Sequence, residues 1–269
     1  MANRIEIKFK ELRQEGKKAF VAFITAGDPD LKTTAELVLA FEQSGVDVVE
    51  LGVPLSDPLA DGPTIQASSQ RALKHHVNLD GILRSVQQIR RKSSIPIALM
   101  TYYNLVFHYG ESKFVSDAKR AGVDGVIIPD LPPEEAGELI RSARQHELST
   151  VFFISPTTTP ERMKRIVLSS TGFIYYVSLT GVTGVRGRLP ESIAKQVREA
   201  QQLTDKPVCV GFGVSNAAQV RSMAKIADGV IVGSAIVQEI LKNQGSPDLV
   251  KNVSHYVAQL THAANTRAK

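Results

Sequence analysis

The sequence predicts an α/β protein with one domain over residues 1–269: a (β/α)8 barrel preceded by an extra N-terminal helix. Two observations predict this class. Eight short apolar runs alternate with amphipathic helical patterns, and three of those runs repeat one local motif. Apolar runs of roughly four to eight residues are typical of strands covered on both faces, as in a parallel sheet. An open doubly wound sheet is the alternative arrangement of the same elements.

The repeated motif occurs at SGVDVVELGV (44–53), AGVDGVIIPD (121–130) and KIADGVIVGS (225–234). In each copy a helical pattern ends at a small residue, and an aspartate follows just before the apolar run. Glycine commonly ends a helix because it adopts the left-handed conformation without steric cost. The motif therefore predicts three helix–turn–strand units of the same kind.

The elements follow one another in strict alternation. Amphipathic patterns such as TTAELVLAFEQSG, EEAGELIRSARQHE and ESIAKQVREAQQL separate the runs, and residues 5–15 predict a further helix that covers the bottom of the barrel. Strand–helix alternation repeated eight times is the pattern of the TIM barrel. The strands are predicted at FVAFIT (20–25), VVELGV (48–53), IALM (97–100), GVIIPD (125–130), TVFFIS (150–155), FIYYVS (173–178), VCVGFG (208–213) and GVIVGS (229–234).

Composition limits the possible classes of protein. The chain has 269 residues and is 43% hydrophobic, which is enough for a large core. No run approaches the roughly 18 apolar residues of a membrane helix, and the N-terminal segment lacks the apolar block of a signal peptide. The single cysteine, Cys209, excludes an intrachain disulfide and a cysteine-based metal site. We therefore expect a cytoplasmic protein.

The positive charge raises the question of nucleic-acid binding. The formal net charge is +5 and the pI is about 9.3. The basic residues are nevertheless scattered, and the densest group, IRRK (89–92), has no interleaved aromatic residues for base stacking. We therefore expect no nucleic-acid partner, whereas a small anionic ligand is compatible with this charge.

Glu50 stands inside a predicted strand. The predicted strands contain no Lys, Arg or His, and their only charged residues are Glu50 and the terminal Asp130. Burying a carboxylate without partners is costly, so one interpretation is a satisfied structural ion pair. The other is a catalytic group near the C-terminal mouth of the barrel, where enzymes of this fold carry their active sites. An apolar wall there would raise the pKa of Glu50 and suit it to proton transfer near neutrality.

Asp61 lies in the loop PLADGPT, which leaves the strand that carries Glu50. An ordinary Asp-Gly turn would explain an isolated pair of this kind. Here the loop is long enough to fold back over the mouth and bring both carboxylates to one ligand. Asp57 competes for this role, but its position before Pro58 favours rigid loop structure.

Glycines follow the last three predicted strands. GFGVSN (211–216) and VGSAI (232–236) are each expected to open a helix, and helix N-termini bind phosphate through backbone N–H groups. The loops after strands seven and eight are the usual phosphate site of this fold. The glycine-spaced segment 178–190 predicts a lid over the mouth. We expect no metal site, because the pair His75–His76 lacks suitably spaced carboxylates.

Together these motifs resemble the tryptophan synthase alpha subunit family. ELGVPLSDPLADGPTIQ matches the signature of that family, and ITAGDP, YYNLVF, GVTGVRG, GFGVS and VGSAIV match in order around it, over residues 20–241. The resemblance implies a barrel lyase that cleaves indole-3-glycerol phosphate to indole and glyceraldehyde 3-phosphate in L-tryptophan biosynthesis. It also implies a partner, the β subunit, in an αββα heterotetramer. Pyridoxal phosphate is expected only in that partner, with no cofactor in this chain.

The resemblance also assigns individual residues. It implies that Glu50 and Asp61 are the catalytic pair, and that lid closure brings the hydroxyl of Thr183 to Asp61. The implied positions around the indole ring and lid are Phe23, Tyr175, Thr183 and Phe212, and those of the phosphate site are Gly184, Gly213, Gly233 and Ser234.

The residues support the same chemistry independently. Retro-aldol cleavage needs an electron sink, and the predicted strands offer neither a lysine for a Schiff base nor a histidine–carboxylate cluster for a metal. A C3-protonated indole ring can be the sink itself. Two alternatives remain open: another sugar-phosphate enzyme on the same barrel, and a chain that mainly activates a β subunit without catalysis.

Overall fold

A computed structural model describes residues 3–177, 191–211 and 213–266. The strands of this part form one parallel sheet in the order β5-β4-β3-β2-β1-β9-β8-β7-β6. Only Phe152 separates β5 from β6, so the two ends of this order are adjacent along the chain and the sheet curls into a nearly closed barrel. The strands are β1 Ala19–Thr25, β2 Val48–Gly52, β3 Ile97–Met100, β4 Gly125–Ile127, β5 Ser149–Val151, β6 Phe153–Ile154, β7 Ile174–Val177, β8 Val208–Gly211 and β9 Gly229–Val232.

In the part of the chain that the structure describes, one or two helices follow each strand, except between β5 and β6, and all helices but the first lie outside the barrel. Within the described residues no helix is both long enough and apolar enough to cross a membrane. The helices are α1 Arg4–Gln14, α2 Leu31–Gln43, α3 Pro63–Leu73, α4 Leu79–Arg90, α5 Tyr103–Tyr109, α6 Glu111–Ala121, α7 Gly137–Gln145, α8 Pro160–Ser169, α9 Glu191–Gln202, α10 Ala217–Ala224, α11 Ser234–Lys242 and α12 Leu249–Asn265.

Two strand predictions need correction. The predicted fifth strand, 150–155, is two short strands, because the chain pairs with β4 up to Val151 and with β7 from Phe153 onward. The predicted fourth strand ends at Ile127, before Pro129, whose missing N–H could not continue the ladder. Asp130 is therefore a loop residue, and its carboxylate accepts a hydrogen bond from the Tyr103 N–H at 2.9 Å.

The aspartate of the repeated motif joins neighbouring strands at the bottom of the barrel. In each copy the carboxylate accepts a hydrogen bond from the backbone N–H at the start of the adjacent strand, and the aspartate N–H returns one to the carbonyl of the same residue. These double links explain why the motif recurs. The pairs, with the carboxylate distance first, are Asp47 with Phe20 (2.8 and 3.0 Å), Asp124 with Ile97 (2.9 and 2.8 Å) and Asp228 with Val208 (3.0 and 2.9 Å).

Helix α1 closes the bottom of the barrel, as the sequence predicts. Its apolar face, Ile5, Phe9 and Leu12, is buried in one cluster with side chains from the lower barrel interior. Asn3 caps the helix by accepting from the Ile5 N–H, and it donates to the Asp124 carbonyl at 2.7 Å. The lower interior is thus packed with apolar groups, Cys209 among them. The candidate catalytic side chains lie toward the upper end of the barrel, where the strands terminate.

Candidate active site

Glu50 lies inside the barrel, on strand β2 between β1 and β3. Its neighbours in register are Phe23 on β1 and Ala98 on β3. Side chains alternate along a strand, and because Val48 belongs to the interior cluster, Glu50 and Gly52 face the interior too. The sequence therefore places a carboxyl group in the upper barrel, above a floor of Val, Ala and Ile side chains.

The carboxyl group of Glu50 is fully buried and has no hydrogen-bond partner among the described residues. Burial, and then the negative charge of Asp61, raise its pKa to about 8. Within the described residues no cation pairs with it, so none of them forms the structural ion pair that the sequence left open. At neutral pH this group holds a proton in an apolar cavity, as a general acid requires.

Asp61 ends the loop between β2 and α3, close enough to Glu50 for its charge to act on that group. Burial raises the pKa of Asp61 to about 6, although a hydrogen bond from the Tyr102 hydroxyl favours the charged form. The same hydroxyl oxygen accepts the Ala60 N–H at 3.0 Å. The pair is thus split near pH 7, with Glu50 protonated and Asp61 ionised. Asp57 is exposed and bonded to Ser56, in line with a loop role.

Phe23 forms one wall of the cavity. Its ring fits because two glycines leave room for it: a Cβ on Gly52 would lie 2.6 Å from Phe23 Cζ, and one on Gly233 would lie 3.3 Å from Phe23 Cβ. The buried side chains of Ile65 and Val237 pack around it. The result is a flat apolar surface next to Glu50, which suits an aromatic ligand.

Tyr175 forms a second wall. Its ring packs on Phe153 with 4.8 Å between centroids, and a Cβ on Gly211 would lie 2.7 Å from its hydroxyl oxygen. Burial, followed by the charge of Glu50, raises the pKa of Tyr175 well above its ordinary value. The hydroxyl is therefore neutral, and it lies in the cavity that Glu50 occupies.

Sequence reasoning assigned no role to Met100 and Phe153, and it named Tyr102 only within TYYN (101–104), a candidate lining of a binding or partner surface. Met100 packs against the Phe23 cluster, Phe153 against Tyr175, and Tyr102 bonds to Asp61. A signal for the first two existed: each stands two residues beyond an inward-facing residue at the end of a strand. Nothing in the sequence indicated that the hydroxyl of Tyr102 would bond to the neighbouring loop.

The two glycine loops of the predicted phosphate site differ. Gly233 directly precedes α11, which begins at Ser234 without a side-chain cap, so its first N–H groups face the upper end of the barrel. Gly213 has a left-handed φ of +51° and open space at its Cβ position. The expectation that GFGVSN (211–216) opens a helix is confirmed. Helix α10 begins at Ala217, and the side chain of Asn216 already caps it.

Three predicted site residues lie outside the described residues: Thr183, Gly184 and Phe212. The same holds for the predicted lid, 178–190, and for its contact with Asp61. These predictions remain predictions. Within the described part of the chain, no group of three or more His, Cys, Asp or Glu could hold a metal ion.

Comparison with known proteins supplies the family. A family model described as tryptophan synthase alpha chain matches residues 9–265. The chain belongs to the tryptophan synthase alpha chain family. Among curated members, the tryptophan synthase alpha chain of Geotalea daltonii is 51% identical over 242 residues, 90% of this chain and 92% of that one. The alpha chain of Caldanaerobacter subterraneus subsp. tengcongensis is 48% identical over 258 residues, 96% of this chain and 98% of that one.

A solved structure of the tryptophan synthase alpha family has the same fold. The tryptophan synthase subunit alpha from Legionella pneumophila str. Paris aligns with a TM-score of 0.91 and 36% identity, over 98% of this chain and 99% of that one. The (β/α)8 barrel predicted from the sequence is thereby confirmed. Family membership also confirms the resemblance drawn from ELGVPLSDPLADGPTIQ.

Proposed function

We propose that this chain is the lyase that cleaves indole-3-glycerol phosphate to indole and glyceraldehyde 3-phosphate, the alpha reaction of L-tryptophan biosynthesis. One observation supports this most: in a member of this family, the buried carboxyl of Glu50 has a pKa of about 8 and no partner among the described residues. A group this costly to bury belongs to a function rather than to stability.

Glu50 acts as the acid and then as the base. Its protonated carboxyl donates to C3 of the indole ring, and the ring becomes an iminium-type cation. The carboxylate then takes the proton of the glycerol hydroxyl next to the ring. As that hydroxyl becomes the aldehyde carbonyl, the C–C bond breaks, and its electron pair neutralises the ring to give indole. Atoms and electrons balance with no further reactant, so this chain needs no cofactor of its own.

Asp61 holds the indole N–H. With a pKa of about 6, its carboxylate is largely ionised at neutral pH and stabilises the positive charge that develops on the ring. The Tyr102 hydroxyl orients it. The apolar walls formed by Phe23 and Tyr175 receive the two faces of the ring and exclude water. In this assignment Thr183 and Phe212, taken from the family resemblance, complete the ring site.

The phosphate binds at the upper ends of β8 and β9. The uncapped N-terminus of α11, at Gly233 and Ser234, supplies backbone N–H donors and a favourable helix dipole. The open, left-handed Gly213 lets the phosphate approach the main chain. Gly184 completes this site by resemblance. Anchoring the phosphate there fixes the glycerol chain relative to Glu50.

The partner is a tryptophan synthase β subunit, which carries pyridoxal phosphate, in an αββα assembly in the cytoplasm. Leu59 is 89% exposed in the loop that ends at Asp61, and Phe107 is 70% exposed on α5. The hydrogen bond between Ala60 and Tyr102 joins these two segments. Large exposed apolar side chains on linked segments mark an interaction surface, and it adjoins the proposed active site.

We expect Leu59→Ser with Phe107→Ser to weaken activation by a β subunit while sparing the chain's own activity.

Indole release from indole-3-glycerol phosphate by the full-length chain tests the proposal. Indole and glyceraldehyde 3-phosphate should form in equal amounts, and a β subunit should accelerate the reaction. A chain that stimulates a β subunit but never forms indole would be a non-catalytic activator. Turnover of another sugar phosphate with no indole release would favour a different enzyme on the same barrel. Either result would refute the proposed function.

A further inference from the structure

Helix α3 begins directly after the loop that carries Asp61, and side-chain hydrogen bonds tie it to the barrel. In its first turn, Gln66 Nε2 donates to the Asp61 carbonyl oxygen at 2.8 Å. In its middle, the hydroxyl oxygens of Ser68 and Thr25 lie 2.5 Å apart. In its last part, Arg71 reaches the turn that follows β1. Two of these contacts thus fix the helix to β1 and the turn after it, and the third joins its first turn to the loop that carries Asp61.

The Arg71 contact is a two-bond fork on a buried carboxylate. Nε donates to Asp28 Oδ1 at 2.9 Å, and Nη2 donates to Asp28 Oδ2 at 2.6 Å. Asp28 is 3% exposed, and its own N–H donates to the Thr25 carbonyl at the end of β1. A bidentate guanidinium–carboxylate pair fixes orientation as well as distance, which a single ion pair does not.

The anchored strand is the one that flanks Glu50. Phe23 on β1 pairs in register with Glu50 on β2, and Thr25 pairs with Gly52. Residues 53–62 between β2 and α3 form no helix or strand. Backbone hydrogen bonds of a helix or strand therefore do not set the position of Asp61. The distance between the two carboxyl groups therefore depends on how α3 sits on the end of β1, together with the bonds that the Tyr102 hydroxyl makes to this loop.

We propose that Arg71 is a positioning residue for the reaction: its fork on Asp28 fixes α3 and thereby holds Asp61 at its working distance from Glu50. This inference rests on the proposed function, because that function gives Asp61 and Glu50 their roles. Arg71 does not touch the reacting atoms. Its effect is geometric, and a misplacement of about 1 Å in a catalytic constellation can cost roughly 10²-fold in rate.

The test uses Arg71→Lys in the full-length chain. Lysine keeps the charge but cannot form the fork. We expect kcat for indole release to fall about 10-fold, with KM for indole-3-glycerol phosphate within about 2-fold, because the phosphate is held at β8 and β9. Asp28→Asn should have a similar effect. The double variant should lose no more than the worse single variant, because both disrupt one contact.

Arg90→Lys is the matched control. Arg90 is also a largely buried arginine bonded to a buried aspartate, Asp124, but at the bottom of the barrel. Both lysine variants should lower the unfolding temperature, and Arg90→Lys should leave kcat within about 2-fold. If Arg71 had a purely structural role, the two variants would behave alike. Equal kcat values for Arg71→Lys, Arg90→Lys and wild type would overturn the proposal.

Ser68→Ala covers the case in which Arg71→Lys does not fold. It removes the milder link to Thr25, and we expect kcat to fall about 3-fold at unchanged KM. Unchanged kcat in this variant would count against the proposal.

Glu50→Gln in the same assay separates the positioning role of Arg71 from the proposed function. If Glu50→Gln retains activity, the proposed function fails. If it is inactive while Arg71→Lys and Ser68→Ala are fully active, only the positioning role fails.

Discussion

At the scale of single residues, the molecule's chemistry depends on two carboxyl groups in different surroundings. Glu50 has no hydrogen-bond partner among the described residues, and burial keeps it neutral. Asp61 lies at the rim, where the Tyr102 hydroxyl favours its charged form. Two acids of the same kind are thereby separated into a proton donor and an anion. Environments that push two pKa values apart are how one site carries out both acid and base steps.

This separation predicts a bell-shaped pH dependence of kcat/KM. The active form has Asp61 ionised and Glu50 protonated. Activity should fall as pH drops through about 6, because Asp61 gains a proton, and again as pH rises through about 8, because Glu50 loses one. Because the two groups interact, the two apparent pKa values of this pH profile belong to the pair rather than to either residue alone. Initial rates of indole release from pH 5 to 9 would check this, and a flat profile would contradict it.

Sequence alone could identify some site residues and not others. Glu50 stood out because a carboxylate interrupts an apolar strand, and Asp61 because its loop leaves the same strand. Tyr102 and Arg71 act through hydrogen bonds to distant segments, and such contacts form only after the barrel closes. Met100 and Phe153 looked like ordinary core residues, although their alternation with the inward-facing Ala98 and Val151 could have marked both as interior residues nearer the mouth.

At the scale of elements, the loops after the last strands differ although their sequences look alike. Both begin with glycine-rich segments after apolar strands. Only the β9 loop leads directly into a helix, whereas the β8 loop continues to a self-capped α10. The phosphate site we propose therefore combines one helix N-terminus with one open loop. A strand break at Phe152 escaped prediction for a similar reason: it reflects a change of pairing partner, which an apolar run does not encode.

Gly213→Val should raise KM more than it lowers kcat. A Cβ at this position meets no neighbour, but φ of +51° is strained for valine, so the backbone should shift away from the phosphate. Phosphate anchoring is largely uniform binding, and its loss appears in KM. Gly245→Val is the control, because Gly245 also has a positive φ, +83°, and open space. Steady-state kinetics of both variants would decide; an equal KM in the two would contradict the assigned phosphate site.

At the scale of the whole molecule, stability and activity occupy opposite ends of the barrel. The bottom holds the aspartate links between strands and the apolar plug of α1. Asp124 is the most connected of these links: besides Ile97 it binds Arg4 Nη1 at 2.8 Å and Arg90 Nη2 at 2.7 Å. The top holds the buried carboxyl of Glu50, which has no hydrogen-bond partner among the residues that the structure describes. Such a division lets a strained, costly site persist on a well-supported scaffold.

Asp124→Asn should therefore lower the stability of the protein without lowering kcat. Loss of this buried carboxylate leaves Arg90 without its ion-pair partner, which typically costs about 3 kcal/mol in the free energy of unfolding. At 25 °C kcat should stay within about 2-fold. Glu36→Gln, which breaks the exposed pair with Lys32 at 3.9 Å, should cost less than ~1 kcal/mol. Urea unfolding measures both; equal midpoints for the two variants would contradict this account of the barrel floor.

If Glu50 carries the proton in the reaction, Glu50→Gln should remove activity without unfolding the protein. Because burial raises the pKa of Glu50 from 4.5 to about 8, the wild type loses the stability that the protonated group contributes as pH rises from about 4.5 to about 8. Glutamine stays neutral, so the variant should unfold at pH 9 at a temperature no lower than wild type. With the fold verified in this way, indole release should fall by at least ~10³-fold. Near-normal turnover in the folded variant would contradict the account.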